Sequence, residues 1–335
     1  MQPMPEGSTT DKGTVIRPLL KWAGGKRQLL PALRPHYPST FTRYIEPFMG
    51  SGAVFFDLLN LGRLARGRAW LVDVNRDLIG CYQMVRDETE AVIAVLDRLE
   101  QEHRAGGSAC YYEARDRFNI IRAQTRTYTV ELAATLIYLN RTGFNGLFRL
   151  NRDGEFNVPA GRYTDPRICD ADHLRAVAGA LSSNRVTLEC LGFEEALGDA
   201  GEGDFVYCDP PYAPLSRTSS FANYTAGGFS PLDHVRLQRA VIAAAGRGAI
   251  VLVSNSSAPE IVRGYSSPAA RKAGLDVQRV AARRVINSRA TLRGPVDELI
   301  ISNSAAGLAG LKNKTRPTPT PKMLSIRSLK RRKTA

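Results

Sequence analysis

The sequence of 335 residues is 43% hydrophobic, which suffices for one large core, or a core and a subdomain, and excludes a wholly disordered chain. No run approaches the roughly 18 apolar residues of a membrane span, and residues 1–14 lack the apolar segment of a signal peptide. We therefore expect a cytoplasmic protein with no membrane partner. The five cysteines are scattered and never show C-x-x-C spacing, so the sequence predicts no metal site.

The charge distribution points to a polyanionic partner. Lys and Arg number 46 against 32 Asp and Glu, a formal net charge of +14. Nine of the basic residues lie in 305–335, which has no acidic residue, and eight basic against three acidic residues lie in 104–152. Nucleic acid is the expected partner before membrane, although a solvated helix face would give the same charge pattern in 104–152.

Strand and helix patterns alternate along much of the chain. Seven short runs rich in β-branched and aromatic residues predict buried strands at 44–48, 70–74, 185–193, 204–209, 249–255, 275–280 and 297–303. Helical patterns lie between them at 53–61, 77–87 and 232–245, the last preceded by Ser230 as N-cap and Pro231 at the first helical position. Strands that alternate with helices predict a doubly wound α/β sheet.

The alternation is interrupted by an insertion between the second and third strands. Helical patterns at 92–102 and 128–140 follow each other without a strand, and 147–151 and 155–158 then flank Asp153-Gly154, a strong hairpin signal. After the last strand, alternating Thr and Pro and a run of four basic residues cannot form a core. We therefore predict a disordered N-terminus at 1–16, an α/β domain at 17–88 and 185–304, an inserted module at 89–184 and a disordered basic tail at 305–335.

Two motifs at predicted strand ends carry chemistry. The first, Glu46-Pro47-Phe48-Met49-Gly50-Ser51-Gly52, joins a strand to a helix, and its glycines permit close approach of a ligand to the backbone. Asp73 ends the next strand about 20 residues later, where a carboxylate can bind ribose hydroxyls. Together these features predict a cofactor that contains a nucleoside, although the glycines alone could be structural.

The second motif is Asp209-Pro210-Pro211-Tyr212, which follows an apolar strand at the carboxyl edge of the sheet. The prolines stiffen the loop and leave carbonyl oxygens unpaired, Asp209 supplies an anionic acceptor, and Tyr212 supplies a stacking face. A rigid turn is the simpler reading of the four residues. Their chemistry favours a holder for a planar amine.

Further motifs lie in a fixed order along the chain. They are Lys21-Trp22-Ala23-Gly24-Gly25-Lys26, Tyr44-Ile45-Glu46-Pro47-Phe48, Asp73-Val74-Asn75, Tyr138-Leu139-Asn140-Arg141, Asn145-Gly146-Leu147 with Arg149, Gly154-Glu155-Phe156-Asn157-Val158-Pro159, Gly161-Arg162-Tyr163 and Ser254-Asn255. With these motifs, the chain from Pro18 to about Asn303 resembles the Dam-type DNA adenine-N6 methyltransferases, the α group of the D12 class. The resemblance implies a Rossmann-like class I methyltransferase sheet of seven strands, with an inserted helical and β-hairpin recognition module.

The resemblance also implies a function. The expected reaction transfers a methyl group from S-adenosyl-L-methionine to N6 of adenine in double-stranded DNA, within GATC, by base flipping and direct in-line transfer. No metal and no obligate protein partner are implied. The sequence has no Pro-Cys dipeptide, which excludes a cytosine-C5 methyltransferase. The alternatives are a catalytically silent DNA-binding or decoy protein, or N-methylation of cytosine N4 or of RNA.

The family's roles carry over to matching positions of this chain. The residues implied to act on the target adenine are Asp209, Pro210, Pro211 and Tyr212. The residues implied to bind the cofactor are Trp22, Ala23, Gly24, Lys26, Glu46, Phe48, Gly50, Gly52, Asp73, Val74, Asn75 and Asp209. The residues implied to bind DNA are Lys21, Phe144, Asn145, Leu147, Arg149 and Tyr163. Two positions depart from the family pattern, because Phe144 stands where Tyr is common and the bulky Phe148 lies between Leu147 and Arg149.

Overall fold

The computed structural model describes residues 15–22, 24, 26–213, 228–283 and 295–304. Of the segments predicted to be disordered, residues 1–14 of the N-terminus at 1–16 and the whole basic tail at 305–335 lie outside these ranges. At Ile16 the chain is already held, since its N–H donates to Asn60 Oδ1 at 3.0 Å. No helix within the described ranges is long and apolar enough to cross a membrane.

The described residues form a seven-stranded sheet, which confirms the predicted Rossmann-like α/β class. Its strands are β1 Arg43–Glu46, β2 Arg68–Val72, β3 Val186–Glu189, β4 Asp204–Cys208, β5 Ile250–Ser256, β6 Asp276–Arg283 and β7 Pro295–Ser302. The spatial order is β3-β2-β1-β4-β5-β7-β6, in which β1 to β5 are parallel and β7 is antiparallel to both of its neighbours. The strand order reverses between β1 and β4, the position where open α/β sheets bind ligands.

One predicted strand is shorter than expected. The strand predicted at 185–193 ends at Glu189, and Phe193 instead begins a short helix. The Glu195 carboxylate accepts the backbone N–H of Gly192 at 2.7 Å, which satisfies a donor at the start of this helix. The side-chain pattern alone did not show that the apolar run continues into a helix.

The helices cover both faces of the sheet. They are α1 Leu30–Leu33, α2 Ala53–Asn60, α3 Arg76–Asp87, α4 Thr89–Gly106, α5 Ser108–Gln124, α6 Val130–Thr142, α7 Ala171–Leu181, α8 Phe193–Leu197, α9 Pro231–Gly246, α10 Pro259–Tyr265 and α11 Pro268–Lys272. The predicted N-cap of α9 is confirmed, because Ser230 Oγ accepts the N–H of Asp233 at 3.2 Å.

Side chains that alternate along the strands enter two separate cores. In β1, Tyr44 packs with the core beneath the helices from α2 to α7, while Ile45 packs with the core beneath α8 to α11. Successive residues of a strand point to opposite faces, so each central strand contributes to both cores. The sheet is therefore buried on both sides, as parallel sheets require.

The helices between β2 and β3 form a layer over one face of the sheet. Ten of the thirteen residues of α6 are buried, which places this helix at the centre of the layer. The helix α5 was not predicted, although Tyr111, Ala114 and Phe118 are buried at helical spacing. The chain then reverses at the predicted turn, where Asn151 N donates to Glu155 O at 2.8 Å and Asn157 N donates to Arg149 O at 3.1 Å. The pairing of the two arms consists of isolated bridges, Leu150 with Phe156 and Gly143 with Ala160.

Arg122 joins three parts of this layer. Its Nε donates to Asp77 Oδ2 of α3 at 2.7 Å, and its Nη1 donates to Gly154 O in the hairpin turn at 2.6 Å. The Asp77 carboxylate is buried, and burial raises its pKa while the Arg122 guanidinium opposes that shift. The Arg122 guanidinium therefore compensates a buried carboxylate, with Arg76 as a second nearby cation, and fixes the turn to the helices.

We expect Arg122→Ala to lower the free energy of unfolding by about 3 kcal/mol, because it removes the cation that is hydrogen-bonded to the buried Asp77 carboxylate. Arg104→Ala is the matched control, since Arg104 pairs with Glu100 on the exposed surface of α4 and should contribute less than about 1 kcal/mol. Urea denaturation of both variants measures the difference. Equal losses would show that the buried pair contributes no more than a surface pair.

Candidate active site

Three loops meet at the carboxyl edge of the sheet. They follow β1, β2 and β4, which are adjacent strands in the order β2-β1-β4. The loops contain the motifs at 46–52, 73–75 and 209–212. Because parallel strands end at the same edge, the pairing brings together residues that lie up to 166 positions apart.

The loop after β1 is held tightly against its neighbours. Met49 N donates to Val72 O at 2.9 Å, and Gly50 N donates to Asp73 Oδ2 at 3.0 Å. Gly50 has φ +49°, and a Cβ at this position would lie 3.1 Å from Trp22 Cδ1. A side chain at residue 50 would therefore fill the space between the loop and the indole ring. Gly52 lies directly before α2, where the helix presents unpaired N–H groups.

The loop after β2 is organised by Asp73 and Asn75. Asp73 Oδ1 accepts the N–H of Asn75 at 2.9 Å, in addition to the Gly50 bond at Oδ2. Burial raises the pKa of Asp73, and the backbone N–H groups oppose this shift by stabilising the carboxylate. Asn75 is the N-cap of α3, since its Oδ1 accepts the N–H groups of Asp77 and Leu78. Val74 lies exposed between them.

Glu46 and Phe48 lie beside this loop. Glu46 is buried, and its Oε2 accepts a hydrogen bond from the Tyr44 hydroxyl at 2.9 Å. Burial raises the pKa of Glu46 well above its ordinary value. Phe48 is half-buried and stacks on Phe193 with ring centroids 5.5 Å apart, so one side of its ring is packed.

The loop after β4, Asp209-Pro210-Pro211-Tyr212, is named the DPPY loop and contacts a lysine. Lys26 Nζ lies 2.9 Å from Asp209 Oδ1 and 4.5 Å from the centroid of the Tyr212 ring. The same ammonium donates to Gly24 O at 2.6 Å. Burial raises the pKa of Asp209, while Lys26 and the Ser254 hydroxyl, which donates at 2.8 Å, stabilise the carboxylate. Lys26 and Asp209, both expected to bind the cofactor, therefore lie in contact with each other. Ala23 is outside the described residues.

The end of β5 fixes the DPPY loop. Asn255 Oδ1 accepts the N–H of Ala213 at 3.3 Å, and Ser256 Oγ donates to Ala213 O at 2.6 Å. Tyr207 OH lies 3.0 Å from Ser254 Oγ, which extends the polar network into the sheet. Sequence reasoning assigned no role to Ser256 or Tyr207. Ser256 directly follows the Ser254-Asn255 motif, so this motif could have indicated it.

The expected DNA-binding residues cluster near this edge. Phe144 and Asn145 are exposed on a tight turn after α6, and Asn145 has φ +55°, an uncommon conformation for a residue other than glycine. Lys21 Nζ lies 5.0 Å from the centroid of the exposed Tyr163 ring. Five of the six residues have exposed side chains, and Leu147 is half-buried.

Asn140 connects this turn to the segment that precedes Trp22. Its Oδ1 accepts the N–H of Lys21 at 2.8 Å, and its Nδ2 donates to Lys21 O at 2.8 Å and to Gly146 O at 2.9 Å. A Cβ at Gly146 would lie 2.7 Å from Lys21 Cβ, so only glycine fits this close approach. Asn140 lies in the motif Tyr138-Leu139-Asn140-Arg141, which predicted no role for it.

Arg149 and Trp22 show how the hairpin is supported. Arg149 is exposed, and it donates through Nε to Asn157 Oδ1 at 2.7 Å and through Nη2 to Asn157 O at 3.1 Å. Trp22 stacks on the buried Phe148 with centroids 5.4 Å apart and an angle of 26° between the rings. The indole ring thus lies between the glycine loop and the base of the hairpin.

Comparison with known proteins identifies relatives over most of the chain. The family model for the D12 class N6 adenine-specific DNA methyltransferase matches residues 22–282. The chain is 37% identical over 291 residues to the type II methyltransferase M1.LlaDCHI of Lactococcus lactis subsp. cremoris, covering 86% of this chain and 95% of that protein. It is 36% identical over 298 residues to the type II methyltransferase M.MjaIII of Methanocaldococcus jannaschii, covering 86% and 99%. It is 34% identical over 284 residues to the DNA adenine methylase of Escherichia coli (strain K12), covering 85% and 94%.

The buried Glu46 carboxyl should make the stability of the protein depend on pH. Because its pKa is raised in the folded protein, the folded chain keeps a proton that the unfolded chain releases above its own pKa of about 4.3. The free energy of unfolding therefore falls as pH rises through this window. We expect a steeper fall between about pH 5 and pH 8 in the wild type than in Glu46→Gln. Urea denaturation without cofactor measures both slopes, and identical slopes would contradict the buried, protonated state.

Proposed function

The chain belongs to the D12 class of N6 adenine-specific DNA methyltransferases, and on this premise we propose that it methylates adenine N6 within GATC in double-stranded DNA by flipping the base. The observation that carries the proposal is the position of Lys26 Nζ, an ammonium nitrogen that lies 2.9 Å from Asp209 Oδ1 and 4.5 Å from the centroid of the Tyr212 ring. An exocyclic amino group of a flipped base requires the same two partners. The pocket thus has an acceptor and a stacking surface that suit a planar amine.

The residues at the sheet edge fit S-adenosyl-L-methionine, a cofactor that carries a positive charge on sulfur. The edge combines the Asp73 and Asp209 carboxylates and the buried Glu46 carboxyl group with a loop in which Gly50 leaves space beside the Trp22 indole ring. We assign Asp73 to the ribose hydroxyls, because its oxygens retain further acceptor capacity. Val74 and Phe48 supply apolar surface for a base. When bound, the cofactor supplies an electrophilic methyl group whose carbon–sulfur bond electrons remain with the departing sulfur.

The DPPY residues orient the target nitrogen. Asp209 and the carbonyl of Pro210 accept the two N6 hydrogens, and Tyr212 stacks on the ring, so the nitrogen lone pair points at the methyl carbon. The lone pair forms the new nitrogen–carbon bond, and the nitrogen then loses one proton. Asp209 accepts this proton and passes it to solvent, a role that suits a carboxylate whose pKa is raised by burial. Lys26 must leave Asp209 when the base enters.

The exposed cluster near the hairpin is proposed to recognise DNA. Phe144 and Asn145 project from a tight turn and are suited to fill the space that a flipped base leaves in the stack. Lys21, Leu147, Arg149 and Tyr163 lie nearby and are proposed to contact base edges. Two Arg149 nitrogens bind Asn157, and the guanidinium has further N–H donors for a guanine.

We expect Asp209→Ala to reduce methyl transfer by roughly 10³-fold or more, because the variant loses both the acceptor for N6–H and the proton acceptor. Binding to DNA should persist, because the exposed cluster is unchanged. The assay transfers a radiolabelled methyl group to DNA, and digestion to nucleosides identifies the product. Label in N4-methylcytosine, label only with RNA as substrate, or no label from the wild type would each refute the proposed function.

Arg149→Ala should relax sequence specificity, since a bidentate contact from arginine to guanine contributes about 1–3 kcal/mol of discrimination. Arg152→Ala is the matched control, because Arg152 is exposed on the same hairpin turn. We expect the control to weaken binding to all sequences to a similar extent. Binding of both variants to GATC and to singly altered sites distinguishes the two residues. Uniform weakening by Arg149→Ala would make this residue a phosphate contact.

A further inference from the structure

The Tyr212 hydroxyl has a partner on a strand remote in sequence. It donates a hydrogen bond to Glu298 Oε2 at 2.8 Å. Glu298 belongs to β7, 86 residues further along the chain, and no motif indicated it. Its side chain is half-buried, so the bond lies at the margin of the DPPY pocket.

The backbone around Glu298 is held on both sides. Glu298 lies opposite Ser256 of β5 and opposite Val280 of β6, so its strand is paired along both edges. Ser256 is the residue whose hydroxyl binds Ala213 O, directly after Tyr212. Tyr212 is thereby fixed at two points, through the adjoining backbone by β5 and through its hydroxyl by β7.

The Tyr212 ring presents one face to the pocket. Lys26 Nζ lies 4.5 Å from the ring centroid on the side where it also contacts Asp209. A cation is thus already bound to this face, as expected for the negative potential above an aromatic ring. Burial and the nearby carboxylates raise the pKa of Tyr212 well above its ordinary value, so the phenol remains a hydrogen-bond donor.

A hydrogen bond from a phenol to a carboxylate shifts electron density toward the ring. The bond therefore fixes the orientation of the ring and makes its face more attractive to positive charge. In the proposed reaction, N6 becomes positively charged as its lone pair forms the bond to the methyl carbon, before the proton leaves. An interaction that strengthens as this charge develops lowers the barrier more than it improves substrate binding.

We propose that Glu298 is a positioning residue for methyl transfer, which acts by holding and polarising the Tyr212 ring through the hydroxyl hydrogen bond. This inference rests on the proposed function, because the developing charge belongs to adenine N6. Its effect should fall on kcat rather than on KM for either substrate.

The experiment compares Glu298→Ala with Asp297→Ala in full-length protein. Asp297 is the adjacent residue of β7, with an exposed side chain 3.9 Å from Arg279, and so provides a matched carboxylate outside the pocket. We expect Glu298→Ala to lower kcat roughly 10- to 100-fold, the effect of losing one hydrogen bond to a charged group. Asp297→Ala should keep the wild-type kcat. Equal kcat values for the two variants would overturn the proposal.

Two further variants separate this role from a structural one. Glu298→Gln keeps an acceptor oxygen and should recover most of the lost kcat, whereas Tyr212→Phe should show the loss seen in Glu298→Ala. In the double variant with Tyr212→Phe, Glu298→Ala should cause no additional loss, because the hydroxyl through which it acts is absent. Additive losses would overturn the proposal. If Glu298→Ala does not fold, a wild-type kcat for Tyr212→Phe would overturn it instead.

The same assay distinguishes failure of this inference from failure of the proposed function. If the wild type produces N6-methyladenine and Asp209→Ala does not, the function stands whatever Glu298→Ala does. If the wild type produces another methylated base, both proposals fail together. Thermal melting of each variant, recorded under the assay conditions, accounts for losses of folded protein.

Discussion

The pairing of β1 with β2 on one side and with β4 on the other is the constraint on which the site depends. Backbone hydrogen bonds across these pairs fix the register, so that Glu46 lies opposite Leu71 and Ile45 lies opposite Val206. The three strands consequently end at one level, and the loops that follow them share one edge of the sheet. A shift of one residue in any pair would turn each side chain of that strand to the opposite core. The two apolar cores therefore hold the register, and the register aligns the loops.

The site concentrates buried carboxylates at this edge. Burial raises the pKa values of Glu46, Asp73 and Asp209, and each carboxyl group is stabilised by a different partner. Glu46 accepts a hydrogen bond from the Tyr44 hydroxyl, and Asp73 accepts hydrogen bonds from two backbone N–H groups. Asp209 forms a salt bridge with the ammonium of Lys26. The Asp73 and Asp209 carboxylates favour positive charge nearby, and Lys26 supplies it at Asp209 in this structure. A cationic cofactor and a nitrogen that becomes cationic during the reaction are both consistent with such surroundings.

The hairpin and the turn before it are joined to the loop after β1 by direct contacts. Asn140 binds the backbone of Lys21 and of Gly146, while Trp22 contacts Phe148 on one side and the glycine loop on the other. These side chains are packed, so a displacement of the hairpin must be accommodated by the loop after β1. Positions proposed to contact DNA and positions proposed to contact the cofactor thus share one set of packed side chains. Glu298 adds a further support, because it binds the Tyr212 hydroxyl from β7.

The amino-acid sequence by itself determined the fold class and the motifs, because these depend on local patterns. Short runs rich in β-branched and aromatic residues marked all seven strands, and Ser230 with Pro231 marked the start of α9. The α5 helix was missed and the strand at 185–193 was predicted too long, because each apolar run fits more than one local structure. Contacts between residues distant in the chain were decided only by the tertiary structure. Lys26 at Asp209, Asn140 at Lys21 and Glu298 at Tyr212 each depend on how separate elements pack, and no spacing in the sequence encodes such distances.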